Sequence, residues 1–130
     1  MTTSSVEPGW LTVGFALAVH EAQLADHGGG SGTRDLGLLE SAIARPQHSW
    51  SYGETDLVAL AASYAFGVSR NHPFVDGNKR TGWVLARTSL LLNGKDFSGS
   101  DEDAISNMMA LASGSLNETQ FADWLRGHLA

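Results

Sequence analysis

One short segment in the middle of the chain, residues 71–81, holds side chains that could carry out chemistry. It reads Asn-His-Pro-Phe-Val-Asp-Gly-Asn-Lys-Arg-Thr and contains His72, Asp76, Lys79 and Arg80. A histidine can accept the proton of an attacking hydroxyl, a carboxylate can hold a metal ion, and cations with backbone N–H groups can bind phosphates. This combination predicts a site for phosphoryl or nucleotidyl transfer.

The segment is expected to form a loop between two core helices. A helix over residues 56–70 should end at His72, because the following proline disfavours the helical conformation there. A mostly apolar helix begins at about Asn78, ends at Asn93-Gly94, and is predicted to be the buried centre of the domain. Gly77 and the three residues after it then occupy the first turn of that helix, where free N–H groups and the positive dipole end favour an anion.

Each of these residues also has an ordinary structural interpretation. His72 could simply cap a helix, Asp76 with the following glycine could be a turn, and Lys79 with Arg80 could be an exposed pair. Phe74 is predicted to anchor the loop in the core rather than to contact a ligand. The functional interpretation is preferred because all these residues occur together at this spacing.

The composition of the chain limits the classes of function. The 130 residues predict one domain, and no apolar run reaches the roughly 18 residues of a membrane span. The absence of cysteine and of a recognisable signal peptide leads us to expect a cytoplasmic protein with no membrane partner. A net charge of −6 argues against nucleic acid as a partner. Four of the eight basic residues nevertheless fall within residues 70–87, which suits a small anion such as a nucleotide.

Hydrophobic periodicity predicts an all-α fold, a single compact bundle of about six helices. Residues 1–9 are expected to be a flexible N-terminus, and residues 10–130 one domain. The glycine-rich residues 28–32 are predicted to be a flexible loop; they follow a helix and lack the ending of a P-loop, so a phosphate-binding role is disfavoured. Besides the two helices that flank the motif, four others are predicted. They cover residues 11–25 (capped by Thr12), 36–45 (from Asp35 to Pro46), a stretch capped at Ser100 and ended by Gly114, and a last helix that a capping box opens at residues 115–118. The third of these has apolar residues at Ile105, Met108, Met109 and Leu111.

Residues 46–55 are predicted to be a polar, aromatic loop or a short hairpin. Its aromatic side chains, Trp50 and Tyr52, could either contact a partner or fold back over the core.

The motif resembles the signature of the Fic/Doc (Fido) family, His-x-Phe-x-Asp/Glu-Gly/Ala-Asn-Gly/Lys-Arg, over residues 72–80. Residues 34–42 and 44–46 resemble the early segment of death-on-curing (Doc) members, so that the resemblance covers roughly residues 10–129. It implies the Fido fold, with His72 as the base and Asp76 as the Mg²⁺ ligand. It further implies that Gly77, Asn78 and Arg80 bind phosphates.

The resemblance also points to one reaction within the family. Most Fic enzymes transfer AMP from ATP to a protein hydroxyl and have glycine where this chain has Lys79 and arginine where it has Trp83. Doc members share both of these departures, although they have alanine in place of Gly77, and they phosphorylate a threonine of elongation factor Tu. The expectation is therefore a Doc-like toxin kinase that uses ATP and Mg²⁺. The alternatives are an AMP transferase and a non-catalytic nucleotide- or protein-binding member.

The family resemblance suggests partners as well. Fic enzymes are restrained by a helix with the motif Ser/Thr-x-x-x-Glu-Gly/Asn; residues 3–7 have the spacing, but Pro8 follows where glycine or asparagine belongs. An antitoxin of the Phd type acting in trans is therefore expected. Arg87 could face the cleft or equally be a surface residue. Residues 46–55 correspond to the flap that aligns the target, and the residues expected to dock it are Gln47, His48, Ser49, Trp50, Ser51 and Tyr52.

Overall fold

The computed structural model describes residues 6–130, and these residues form six α-helices. The helices are α1 (Val13–His27), α2 (Leu36–Ser51), α3 (Leu57–Asn71), α4 (Asn78–Leu92), α5 (Asp101–Ser113) and α6 (Glu118–Arg126). Extended pairing within the described part is limited to two isolated bridges, Thr33 with Phe74 and Phe97 with Leu129. The prediction of an all-α bundle of about six helices, with the motif in a loop between two of them, is confirmed.

Helix α3, rather than α4, is the most buried element. Ten of its residues are buried, against seven in α4, and it packs against α2, α4, α5 and α6. Small side chains allow this close approach: a Cβ added at Gly67 would lie 3.2 Å from the Cα of Ala42 on α2. The prediction that residues 78–92 form the buried centre is therefore wrong. Small residues that admit neighbouring helices on every side indicate the central helix better than an apolar sequence does.

Helix α2 is longer than the sequence predicts. Pro46 lies inside the helix instead of ending it, so the predicted loop or hairpin over residues 46–55 is wrong for residues 46–51; residues 52–55 do connect α2 to α3. A proline within a helix loses one backbone hydrogen bond and commonly costs about 3 kcal/mol. Pro46 is itself buried, and the added turn brings Trp50 into edge-to-face contact with Trp10, their ring centroids 6.2 Å apart. These contacts offset the cost.

The helix starts follow side-chain caps. Thr12, Asp35 and Ser100 each accept a hydrogen bond from the first turn of the helix that the sequence assigns to them. The predicted capping box at residues 115–118 is wrong in register: Asn117 and Gln120 make the reciprocal bonds at the start of α6.

The N-terminal segment joins the bundle before α1 begins. Of the predicted flexible segment 1–9, residues 1–5 lie outside the described residues. The amide of Gly9 donates to Asn93 Oδ1 at 2.8 Å, and that of Leu11 donates to the Tyr64 hydroxyl at 3.0 Å. Among residues 6–130, no helix combines the length and the apolar character that a membrane crossing requires.

Candidate active site

His72 stands at the point where α3 ends and the motif loop begins. Its backbone is left-handed (φ 53°, ψ 53°), and it is the sole residue other than glycine with a positive φ among residues 6–130. This conformation is uncommon for a residue with a side chain, and the following Pro73 restricts it further. The His72 side chain is exposed and borders a cleft.

The segment before α2 holds this unusual backbone in place. The Arg34 guanidinium donates from Nε to the carbonyl of His72 at 2.8 Å and from Nη2 to that of Asn71 at 3.0 Å. The main-chain N–H groups of Arg34 and Asp35 both donate to the carbonyl of Pro73, at 2.7 and 3.0 Å. Carbonyls at a helix end have no partner within the helix, so these bonds satisfy groups that would otherwise depend on water.

Phe74 anchors the middle of the loop. Its ring is fully buried and stacks on His20 of α1, with centroids 3.8 Å apart and planes 5° from parallel. Its backbone N–H donates to Asn78 Oδ1, and its carbonyl accepts from Asn78 Nδ2, both at 3.0 Å. The Asn78 side chain is therefore occupied within the loop, and its backbone N–H is the group left for a phosphate.

The start of α4 is open to an anion. Gly77 is its N-cap, in the left-handed conformation (φ 79°), and no side chain caps this helix, whereas the other five helices each have a side-chain cap. The N–H groups of a helix's first turn have no acceptor inside the helix, and they carry its positive dipole end. Lys79 and Arg80, both exposed on this turn, add two full positive charges.

Asp76 precedes this turn as a carboxylate held by backbone amides. Oδ1 accepts from the N–H of Gly77 at 2.8 Å, and Oδ2 accepts a longer bond from Gly30 at 3.4 Å. The Gly77 hydrogen bond above all, then that of Gly30 and the charges of Arg80 and Lys79, lower the pKa of Asp76 below its ordinary value. The carboxylate is therefore charged at neutral pH.

The glycine-rich segment after α1 packs on the motif loop rather than forming a free connection. A Cβ added at Gly29 would lie 2.7 Å from Asp76 Oδ2, and one at Gly30 would lie 2.9 Å from Val75 Cγ1. The amide of Val75 also donates to the carbonyl of Gly32 at 3.1 Å. The absence of side chains at Gly29 and Gly30 thus lets two loops meet at Asp76.

These elements surround a cleft of about 590 Å³. Its polar lining comprises the motif residues His72, Asp76, Gly77, Asn78, Lys79 and Arg80 together with Gln23, His27 and Asp101, and its apolar lining comprises Trp83, Val84, Ala104, Ile105, Met108 and Met109. Of the four apolar positions that the sequence gives for α5, Met108 and Leu111 are buried, whereas Ile105 and Met109 are 62% and 58% exposed. Of the four basic residues within residues 70–87, Lys79 and Arg80 border the cleft. Arg70 and Arg87 do not, and the Arg87 side chain lies 3.9 Å from that of Asp96.

Two carboxylates, Asp76 and Asp101, border the cleft, and of these Asp76 belongs to the motif loop. No group of three or more His, Cys, Asp or Glu side chains in residues 6–130 could hold a metal ion. Mg²⁺ is commonly bound by one or two carboxylates together with phosphate oxygens and water. Asp76 is charged and exposed, and each of its oxygens retains acceptor capacity beside its one amide bond, so it fits this ion when a phosphate is present.

The residues predicted to form a target-docking flap lie elsewhere. Gln47 to Ser51 belong to the end of α2, and Tyr52 is its C-cap, 92% exposed. None of the six borders the cleft; His48, Ser49 and Tyr52 border a separate shallow depression. Their contact with a target stays a prediction.

Several residues at the site received no functional role from the sequence: His20 and Arg34, which hold the motif loop, and Gln23, His27 and Asp101, which border the cleft. Arg34 belongs to the segment that resembles Doc members. That resemblance identifies the segment, but it does not predict the bonding of Arg34 to His72. His20 is one of two histidines in α1, which also carries Glu21, Gln23 and Asp26, so the sequence does not single it out or point to a partner.

The fold and the site define an all-helical domain in which a histidine and an open helix start border one cleft. The Fic/DOC family model matches residues 10–90, and the chain belongs to this family. It is 37% identical over 111 residues to "Protein kinase doc" of Escherichia phage P1, covering 85% of this chain and 87% of the relative. It is also 47% identical over 70 residues to "Toxin Doc" of Mycolicibacterium smegmatis, about half of each chain (52% and 53%). The Doc-type resemblance is thereby confirmed.

Proposed function

We propose that this protein is a toxin kinase of the Doc type. It uses Mg-ATP to phosphorylate a hydroxyl side chain of a translation factor of the elongation factor Tu class. The observation that carries this proposal is that His72, Asp76, Lys79 and Arg80 border the same cleft, at the one described helix whose start has no side-chain cap.

The chemistry assigns separate tasks to the polar residues of the cleft. His72 accepts the proton of the target hydroxyl, whose oxygen forms a bond to the γ-phosphorus. The bond from that phosphorus to the β–γ bridging oxygen breaks, and ADP leaves. The open N–H groups of α4, with Lys79 and Arg80, bind the phosphates and stabilise the charge on the group in transit. Mg²⁺ bound at Asp76 would neutralise part of that charge.

The residues at the two variable motif positions favour phosphate transfer over AMP transfer. Lys79 stands on the first turn of α4, where a full charge can meet a phosphate. Trp83 packs against Phe97 and Trp124, with ring centroids 4.8 and 5.7 Å away, so an aromatic cluster occupies the position where Fic enzymes have an arginine. The relative from phage P1, which matches along most of this chain, is itself named a protein kinase.

A toxin needs a partner that restrains it. Both reported relatives are Doc proteins, and one is named a toxin. We therefore include in the proposal a Phd-like antitoxin, supplied by a separate chain and acting with the toxin in the cytoplasm.

The test compares two labels on the same nucleotide. The chain is incubated with Mg²⁺, a bacterial translation-factor mixture, and ATP labelled at either the γ or the α phosphate. The proposal expects label on a translation factor from γ-labelled ATP only, and none with the His72→Ala variant. Label from α-labelled ATP would establish AMP transfer instead. Nucleotide binding without any transfer would identify a non-catalytic member.

A further inference from the structure

We propose that His20 is a positioning residue that sets the direction of the peptide group between Asp76 and Gly77. In this role it aims the Gly77 N–H outward, toward the Asp76 carboxylate and the phosphate site. The inference rests on the proposed function only in taking this site to bind phosphates, and it holds for phosphate and AMP transfer alike.

The position of His20 suits this task and keeps the side chain from direct contact with a ligand. It lies on α1, is 4% exposed, and does not border the cleft. Its Nε2 is 2.8 Å from the backbone carbonyl oxygen of Asp76. A carbonyl oxygen can only accept a hydrogen bond, so Nε2 carries the proton and donates it. The stacking of the His20 ring on Phe74 fixes the ring plane, which fixes the direction of this N–H.

The effect on Gly77 follows from peptide geometry. In a planar trans peptide the C=O and the N–H point in opposite directions. Because His20 draws the Asp76 carbonyl inward, the Gly77 N–H of the same peptide must point outward. It does so, donating to Asp76 Oδ1 at 2.8 Å.

Glycine at position 77 makes such a restraint necessary. Gly77 has φ 79°, and glycine adopts positive and negative φ with similar ease. Without an inward partner for the Asp76 carbonyl, this peptide could rotate and present an oxygen to the phosphates. An oxygen there would repel both the phosphates and the Asp76 carboxylate, whereas the N–H holds that carboxylate in place and adds positive potential beside the phosphates.

The test separates the hydrogen bond from the ring. His20→Phe keeps an aromatic ring against Phe74 but has no donor, and His20→Gln places an amide N–H close to the position of Nε2. His128→Phe is the matched control: His128 Nδ1 lies 2.8 Å from the Trp124 carbonyl, another histidine-to-backbone contact, and does not border the cleft. Affinities for Mg-ATP and for inorganic triphosphate are measured by calorimetry, and the Gly77 amide is followed by ¹⁵N NMR without ligand.

His20→Phe should weaken both ligands about three- to tenfold, the ratio expected for one lost hydrogen bond, and should shift the Gly77 amide resonance. His20→Gln should restore most of the affinity for both ligands and most of the Gly77 resonance position. His128→Phe should change neither the affinities nor the resonance. Unchanged affinity and an unchanged Gly77 resonance in His20→Phe would overturn the inference, as would equal losses in His20→Phe and His20→Gln. A wild-type protein that binds both ligands but transfers no phosphate would defeat the proposed kinase function and leave this inference standing.

Discussion

The Nε–H of Arg34 donates a 2.8 Å hydrogen bond to the carbonyl oxygen of His72. This bond joins the segment before α2 to the residue proposed as the base, whose left-handed backbone is of a kind that costs about 1–3 kcal/mol. The arginine fork also holds the carbonyl of Asn71, so the direction in which His72 leaves α3 depends on a residue 38 positions earlier.

Removing the Arg34 fork should misplace His72. Arg34→Met loses both side-chain hydrogen bonds and should lower the free energy of unfolding by about 2 kcal/mol. It should also lower kcat for phosphate transfer more than it raises KM for ATP, because the proposed phosphate site on α4 is untouched. Urea denaturation and steady-state kinetics measure the two effects.

Arg126→Met is the control for Arg34→Met. Arg126 pairs with Asp56 and Asp123, and Asp56 caps the opposite end of α3 from His72. Loss of these exposed pairs should cost about 1 kcal/mol or less and leave kcat unchanged. Equal kcat values for Arg34→Met and Arg126→Met would show that the fork does not position the base.

Gly29 and Gly28 allow a paired test of the contact at Asp76. Both have positive φ (116° and 77°), so alanine strains the backbone at either position. A Cβ at Gly29 would lie 2.7 Å from Asp76 Oδ2, whereas one at Gly28 would meet nothing within 4 Å. Gly29→Ala should therefore raise the Mg²⁺ concentration needed for half-maximal transfer, and Gly28→Ala should not. Similar Mg²⁺ dependence in the two variants would contradict this.

The lowered pKa of Asp76 gives a pH dependence with a definite sign. A carboxyl group whose pKa is lower in the folded protein than in the unfolded chain stabilises the fold above its ordinary pKa, which is 3.8 here. That contribution is lost as the pH falls through the lowered value. The difference in unfolding free energy between the wild type and Asp76→Asn should thus shrink on acidification below about pH 4. A carboxyl titration by ¹³C NMR with its midpoint at or above 3.8 would refute the assignment.

Trp83 should not accept the arginine found at its position in AMP-transferring relatives. Trp83→Arg would place a charge against Phe97 and Trp124 and should destabilise the fold by about 2 kcal/mol. Leu91→Arg is the control on the same helix, since Leu91 is 52% exposed and should tolerate the change. Chemical denaturation compares the two variants, and equal midpoints would show that the aromatic cluster does not constrain this position.

Sequence patterns predict the local features of this fold well. Helix periodicity and the caps at Thr12, Asp35 and Ser100 depend on residues a few positions apart, so the helix starts can be read from the chain. Pro46 shows the limit, because its helix continues owing to burial of the proline and to the contact of Trp50 with Trp10, from a distant part of the chain.

The candidate site likewise has residues that the sequence predicts and residues whose roles depend on contacts with distant parts of the chain. The nine-residue motif lies on one loop and one helix start, so His72, Asp76, Lys79 and Arg80 can be placed on one cleft from their spacing alone. The residues that hold the loop, His20 and Arg34, lie 56 and 38 positions from the groups they bind. Ile105 and Met109 fit a core stripe by periodicity, and only the packing of α5 beside α4 shows that they border the cleft.

The identity of the transferred group tests the central claim most directly. Purified elongation factor Tu is incubated with this protein and Mg-ATP, and its intact mass is then measured, with His72→Ala in parallel. We predict the gain of one phosphate on a threonine or serine and no change with the variant. A gain of the mass of AMP, or an equal gain with His72→Ala, would contradict the account.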